Sequence, residues 1–543
     1  MGNKLTYCLI GIIAGLLFIH SLGLVHLFDW DEINFAESAR EMILTNNFSK
    51  VQINFEPFWE KPPLFFWLQS ISMNFLGINE KAARLPNAIC GIITLITIYK
   101  IGKDLVSSKF GISWTLFHGS SFLPHLYFKS GIIDPWFNLF IFMGIYFYTK
   151  FLNKSKNSNY NIEIAGVFIG LAILTKGPVA LIIFFVSIMI LHLVNRRLKT
   201  PTPLQLFYTL ASILLITTVW YGWELVKNGP IFIREFLQYQ IRLASKEDAG
   251  HGGFLFYHLI ILFVGVFPAS TFLFSSKKNS RDENKVRTFR LVMLILLTVV
   301  IVIFSLVRTK IVHYSSLAYF PLSFLATYNL HYLINTKQIN KTINNLTLIM
   351  GITWSFILLM IVVVGKNTAI IYPLLQHDKF AKANINTSIS WTWWYIIPAL
   401  ILLAGTLLFY IRASKCHYAQ AGWIITITTT ITVQLILILI LPKIEKYTQA
   451  AAIEFCLEAK KYNIPIATYG YKSYAPYFYS NVTPSKAIHN VDHLLKSNSP
   501  KTYFIICKCT SKEYLVNQLG HKLIELKEKN GYVLMKINNQ RSK

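Results

Sequence analysis

About thirteen apolar runs, most of them near the length that crosses a bilayer, divide this chain, and any fold must bury them against lipid or against one another. They fall at roughly 4–27, 82–102, 110–128, 132–150, 162–176, 178–195, 205–226, 254–275, 289–307, 312–334, 343–364, 390–411 and 420–441. Only 14% of the 543 residues are charged, against roughly 25% in soluble domains. The expected class is therefore a mainly α, polytopic membrane protein whose partner is the lipid bilayer. A formal net charge of +27 would point to nucleic acid in a soluble chain. Here the excess Lys and Arg sits in short turns between apolar runs, where it sets orientation, so no nucleic-acid partner is expected. The same charge favours anionic lipid or phosphate.

With Lys4 on the cytoplasmic side, alternate turns collect compact basic clusters, among them Lys100/Lys103/Lys109, Arg196/Arg197/Lys199 and Arg412/Lys415. The opposite side receives the long 28–81 loop, the 227–253 and 365–389 loops, and the C-terminal hundred or so residues. The first run lacks a small-residue cleavage site after it and is read as retained. Within the first outer loop, Ile33 to Leu44 has apolar residues at helical spacing with Glu37, Arg40 and Glu41 opposite, the pattern of a helix lying along the interface. Residues 1–441 are expected to form the transmembrane domain. From 442 to 543 a helix at 449–462 and short strands at 464–469, 502–507 and 531–537 predict a small extracytoplasmic α/β domain. The six cysteines show no zinc or redox spacing.

The charged residues most able to do chemistry lie on the outer side. Asp31-Glu32 follows the first run next to Trp30, Glu60-Lys61 precedes the Pro62-Pro63 pair, and Asp134 opens the fourth run. Each alone reads as a solvated loop charge beside a belt tryptophan. Three charged elements at one leaflet read as a site, because ionised groups at the edge of hydrocarbon are costly to keep. Lys176 and Lys310, the latter followed by His313 and Tyr314, are either snorkelling lysines or cations of that site. In the second outer loop Arg242, Glu247, Asp248 and His251 stand among glycines, and the histidine there is a surface residue or a ligand for metal or phosphate.

The order of motifs is more specific than any one of them. DEINFAESAREM (31–42), FWEKPPLFFW (58–67), ARLPN (83–87), IIDPWF (132–137), LTKGP (174–178), EDAGHGGFLFY (247–257) and RTKIVHY (308–314) resemble the bacterial aminoarabinose transferases, which are similar to protein O-mannosyltransferases and share the GT-C architecture of membrane glycosyltransferases. The resemblance implies transfer of a sugar from a polyprenyl-phosphate donor to a lipid or glycan acceptor, such as lipid A, at the outer face of the bacterial cytoplasmic (inner) membrane. It implies that Asp31 and Asp134 are the catalytic acids. Glu32, Lys61, Arg242, Lys310, Tyr314 and Lys176 would hold substrate, and Glu60 and His251 match positions that share a metal. No cofactor is implied beyond that candidate divalent ion. Two departures bear on substrate identity: Ile33-Asn34-Phe35 stands where the family carries Thr-Arg-Tyr, and Gln238-Tyr239-Gln240 where an acid–His pair is common.

Such a donor leaves as a phosphate monoester, whose charge the cations would stabilise. A hydroxyl acceptor needs a base, for which Asp31 is the first choice and Asp134 the second. Direct displacement implies inversion at the anomeric carbon. Two alternatives share the apolar runs: a lipid-linked sugar flippase or transporter, which should show midplane charges and internal repeats, and a glycan polymerase or ligase of the same architecture.

Overall fold

The computed structural model of the chain describes residues 2–152, 158–247, 250, 252–274, 283–496 and 502–537. Each apolar run becomes helical, but several are broken or shortened. Among the described residues six helices are long and apolar enough to cross a membrane: Glu80–Leu105, Pro203–Asn228, Asn284–Leu306, Lys341–Lys366, Trp393–Ser414 and Tyr418–Thr448. The others, such as Asp134–Leu152, Ser158–Lys176 and Val179–Val194, pack among them.

The first run shows why length in the sequence is not length in the helix. Its helix, Gly2–Ile19, stops well before residue 27. Lys129 Nζ caps its end by donating to the carbonyls of Leu17 (2.9 Å) and His20 (2.6 Å). The next carbonyls, of Leu22, Val25 and His26, each accept from the Arg84 guanidinium at 2.8 Å. Buried cations satisfy the backbone in place of a continued helix, as any non-helical chain at this depth requires. Elsewhere small residues permit close packing of helices. A side chain on Gly102 would meet the Gly111 Cα at 2.9 Å, so the Glu80–Leu105 and Ser108–Ser120 helices touch backbone to backbone.

The Asp31–Thr45 helix departs from its expected place on the membrane surface. Residues Glu32 to Met42 are all buried, charged ones included. The polar face that the pattern assigned to solvent is covered by the C-terminal part of the chain. Arg40 donates to Asn481 Oδ1 (3.0 Å) and to the Val482 carbonyl (2.8 Å).

That C-terminal part holds a four-stranded sheet in the order Ile466–Tyr469, Tyr503–Lys508, Tyr532–Ile537, Leu523–Lys529. The first pair is parallel, with Ile466 opposite Phe504, and the rest are antiparallel, with Ile505 opposite Met535. Alternate residues of the central strands, Ile505, Cys507, Val533 and Met535, bury one face against Leu515 of the Cys509–Leu519 helix. The strand at Leu523–Lys529 was not foreseen, because its Glu and Lys residues make it an exposed edge with little apolar signal. A boundary at 441/442 falls inside the continuous helical segment 418–448.

Candidate active site

A cavity of about 560 Å³ opens where the loop after the first helix, the start of the Asp134–Leu152 helix, the end of the Ser158–Lys176 helix and the turn before Tyr319 converge. Each element delivers its residue for a local reason. Asp134 is the first residue of its helix, where a carboxylate favours the N-terminal dipole. Lys176 ends its helix and is followed by Gly177 at φ +103°, a conformation that suits glycine. His313 and Tyr314 sit on the short 3-10 turn Val312–Ala318.

The centre of the cavity is a chain of charges. Lys176 Nζ lies 2.5 Å from Asp134 Oδ1. His313 Nε2 stands 3.7 Å from Asp134 Oδ2 and 3.4 Å from Asp31 Oδ2, so one ring nitrogen faces both carboxylates. The two acids differ in access. The Asp134 side chain is 4% exposed and bound by Lys176, whereas that of Asp31 is 36% exposed to the cavity. Lys176 also lies over the Tyr314 ring, at 4.9 Å, which holds the cation on the cavity wall.

Cations gather to one side. Lys61 and Arg242 approach the Tyr239 ring at 5.2 and 5.0 Å, so one tyrosine carries two positive groups. Burial lowers the pKa of Lys61, and Lys176 lowers it further, against the opposing pull of Glu60, Asp31 and Asp134. Lys472, from the C-terminal part, reaches the same cavity over the Trp30 ring at 5.0 Å.

Most of the residues expected from sequence meet here: Asp31, Asp134, Lys61, Arg242, Tyr314, Lys176 and Glu60 all line the cavity. Two of the lining residues have other commitments. Glu32 is locked to Arg84 at 2.8 Å and accepts from the backbone N–H of Phe28 and Gly131, so it braces the loop and has no oxygen left for substrate. Arg84, with those hydrogen bonds, more than reverses the rise that burial would give its pKa. Lys310 Nζ donates to the carbonyls of Phe304 (3.0 Å), Ser305 (2.6 Å) and Val307 (2.6 Å). All three of its protons cap the preceding helix, which displaces it from the expected role of phosphate ligand. His251 and Asp248 lie outside the described residues. Among the described residues no three His, Cys, Asp or Glu side chains group as a metal ion would need.

Sequence reasoning passed over His313, Tyr239 and Lys472 as site residues. The RTKIVHY motif contained the first, and its place between Lys310 and Tyr314, both singled out as site residues, was its one signal. Lys472 had none, because nothing in the sequence brings residue 472 to residue 30.

Residues 60–223 match the family described as dolichyl-phosphate-mannose-protein mannosyltransferase. The undecaprenyl phosphate-alpha-4-amino-4-deoxy-L-arabinose arabinosyl transferase of Wigglesworthia glossinidia brevipalpis is 27% identical over 372 residues, 67% of this chain and 65% of its own length. That of Proteus mirabilis (strain HI4320), transferase 1, is 25% identical over 396 residues, 69% of this chain and 68% of its own. The chain thus spans slightly under two thirds of the length of the first of these relatives. The crystal structure of ArnT from Cupriavidus metallidurans bound to undecaprenyl phosphate superposes with a TM-score of 0.74 at 16% identity, over 100% of this chain and 99% of that one. At that identity the likeness is one of fold. The chain is a relative of the aminoarabinose transferases and of the protein O-mannosyltransferases, and it has the GT-C type helical membrane fold of the former.

Proposed function

We propose that this membrane protein is a glycosyltransferase that moves a sugar from a polyprenyl-phosphate donor to a lipid or glycan acceptor. The observation that carries the reading is the asymmetric carboxylate pair. Asp31 is accessible, Asp134 is bound by Lys176, and His313 lies between them at the wall of a cavity that also holds Lys61 and Arg242. The relatives named for transfer from undecaprenyl phosphate support the donor class.

In this mechanism the donor phosphate lies against Lys61 and Arg242, with Tyr239 beneath both. As the bond from the anomeric carbon to the phosphate oxygen breaks, negative charge grows on that oxygen, and preorganised cations lower the barrier. The acceptor oxygen attacks from the opposite face and the anomeric centre inverts. Asp31 takes the proton of a hydroxyl acceptor, since it is the acid with room beside it. Asp134 is pinned by Lys176, and His313 Nε2 stands beside the Asp31 carboxylate, where it can steady the acid without occupying it. An acceptor phosphate would arrive already ionised and would need only placement. Glu60 is the lone described residue of the expected metal pair at the cavity, and no step is routed through a divalent ion. The apolar surface between the helices holds the prenyl chain. In this reading the cavity and the C-terminal sheet face the outer side of the cytoplasmic membrane, and the compact basic turns assigned to the opposite side support that orientation.

The test is mass spectrometry of lipids and envelope glycans from cells with the gene, without it, and with an Asp31→Asn copy. One glycolipid or glycan should lose a single sugar in both altered strains while the sugar–polyprenyl phosphate accumulates. An unchanged profile in both, with the protein present in the membrane, would overturn the reading.

A further inference from the structure

The stretch that leads into Asp31 is held by residues more than four hundred positions away. Gln449 acts as a two-ended clamp: its Oε1 accepts from the Asp29 N–H (3.1 Å) and its Nε2 donates to the Leu27 carbonyl (2.8 Å). The Tyr479 hydroxyl accepts from the Leu27 N–H at 2.7 Å. The Tyr474 N–H donates to Asp29 Oδ1 at 3.0 Å, and its ring meets Trp30 edge-on at 5.8 Å. Between this clamp and Asp31 stands Trp30 at φ 75°, ψ −86°. That is near the strained γ-turn region, which a bulky residue occupies only where its surroundings over-determine it. On the far side of Asp31, Glu32 is fixed by Arg84. Asp31, whose side chain is partly open to the cavity, therefore lies in a segment whose neighbours on both sides are tied.

We propose that Gln449, with Tyr474 and Tyr479, is a positioning residue for Asp31: the C-terminal part of the chain holds the 27–30 backbone in its strained path and thereby aims the Asp31 carboxylate at the acceptor. The Trp30 geometry supplies the physical need, because an unheld loop would relax to an ordinary conformation and carry Asp31 away from His313. A misplacement of about 1 Å at a reacting group costs on the order of 10²-fold in rate. This proposal rests on the assignment of Asp31 as base.

The experiment uses the full-length protein in detergent or nanodiscs with a sugar–undecaprenyl phosphate donor, and compares Gln449→Ala, Asp31→Asn and the double variant. Gln449→Ala should lower kcat by about 10- to 100-fold and leave the donor KM within about twofold, because the donor cations Lys61 and Arg242 are untouched. In the Asp31→Asn background the same change should have no further effect. Tyr479→Phe, which removes one hydrogen bond and keeps the ring, should give a smaller loss of the same kind. An equal loss from Gln449→Ala in both backgrounds, or a rise in donor KM matching the fall in kcat/KM, would mean general destabilisation and overturn the proposal. An unchanged kcat would overturn it too, leaving the base assignment standing. Full turnover by Asp31→Asn would remove the base assignment and the proposal together.

Discussion

Two sets of charges share the start of the Asp31–Thr45 helix and meet opposite fates. Glu32 with Arg84, and Glu37 with Arg40, are buried ion pairs whose partners are all present: Arg40 gives both its Nε (2.7 Å) and an NH2 (2.6 Å) to Glu37. Asp31, one residue from Glu32, makes one long ion-pair contact among the described residues, at 3.4 Å, and has over a third of its side chain in the cavity. A fully satisfied buried pair is stiff and costly to break, while an incompletely satisfied group at a cavity wall is free to change partner. The first kind holds the loop; the second is available to substrate. Sequence spacing cannot separate them, because the residues are adjacent and chemically alike.

The largest expected effect tests the open side. Asp31→Asn should lower transfer by about 10²–10⁴-fold while the thermal midpoint stays close to that of the parent. A drop in stability comparable to that of a buried-pair variant would erase the distinction. Arg84→Met probes the closed side. It strands Glu32 and three carbonyls, and loss of one partner of a buried pair costs about 3–5 kcal/mol, so the variant should unfold at markedly lower temperature or fail to accumulate.

A subtler probe is pH. The pKa of Lys61 is lowered by burial and by Lys176, so its charge is lost at a lower pH than that of an ordinary lysine as pH rises. The alkaline limb of kcat/KM for the donor should therefore fall below the usual lysine range. Lys61→Arg should move that limb upward, because a guanidinium stays charged. A limb at the same pH in both proteins would remove Lys61 from phosphate binding.

The smallest effect concerns Glu41, buried beside the Glu37–Arg40 pair. Burial first, and then neighbouring Glu37, raise its pKa to about 9. The folded state thus keeps a proton that the unfolded chain releases above about 4.3, and stability should decline as pH rises between those values. Glu41→Gln removes this term, so its midpoint at pH 8 should match or slightly exceed the parent's and vary less with pH. A loss of stability at pH 8 would show that the carboxylate form is the one the fold needs.

Much of the architecture was legible in the chain. The apolar runs marked the helices, and Asp31, Glu60 and Lys61 of the 28–81 loop do meet Asp134 and Lys176 in one cavity. What misled was cover. The Glu37/Arg40/Glu41 face read as solvated, and Lys310 read as a free cation, because a sequence shows which side of a helix is polar without showing what packs on it. Where the first helix ends was hidden for the same reason, since Lys129 and Arg84 end it from outside.

By itself the sequence determined the membrane class and the helical runs, since hydrocarbon thickness and the cost of burying ions act on local composition. Only the tertiary structure decided which carboxylate faces the cavity and which is sealed. That choice depends on Arg84, 52 positions from Glu32, and on Gln449, Tyr474 and Tyr479, more than four hundred positions from the loop they hold, and hydrogen bonds between residues so far apart leave no periodicity to read.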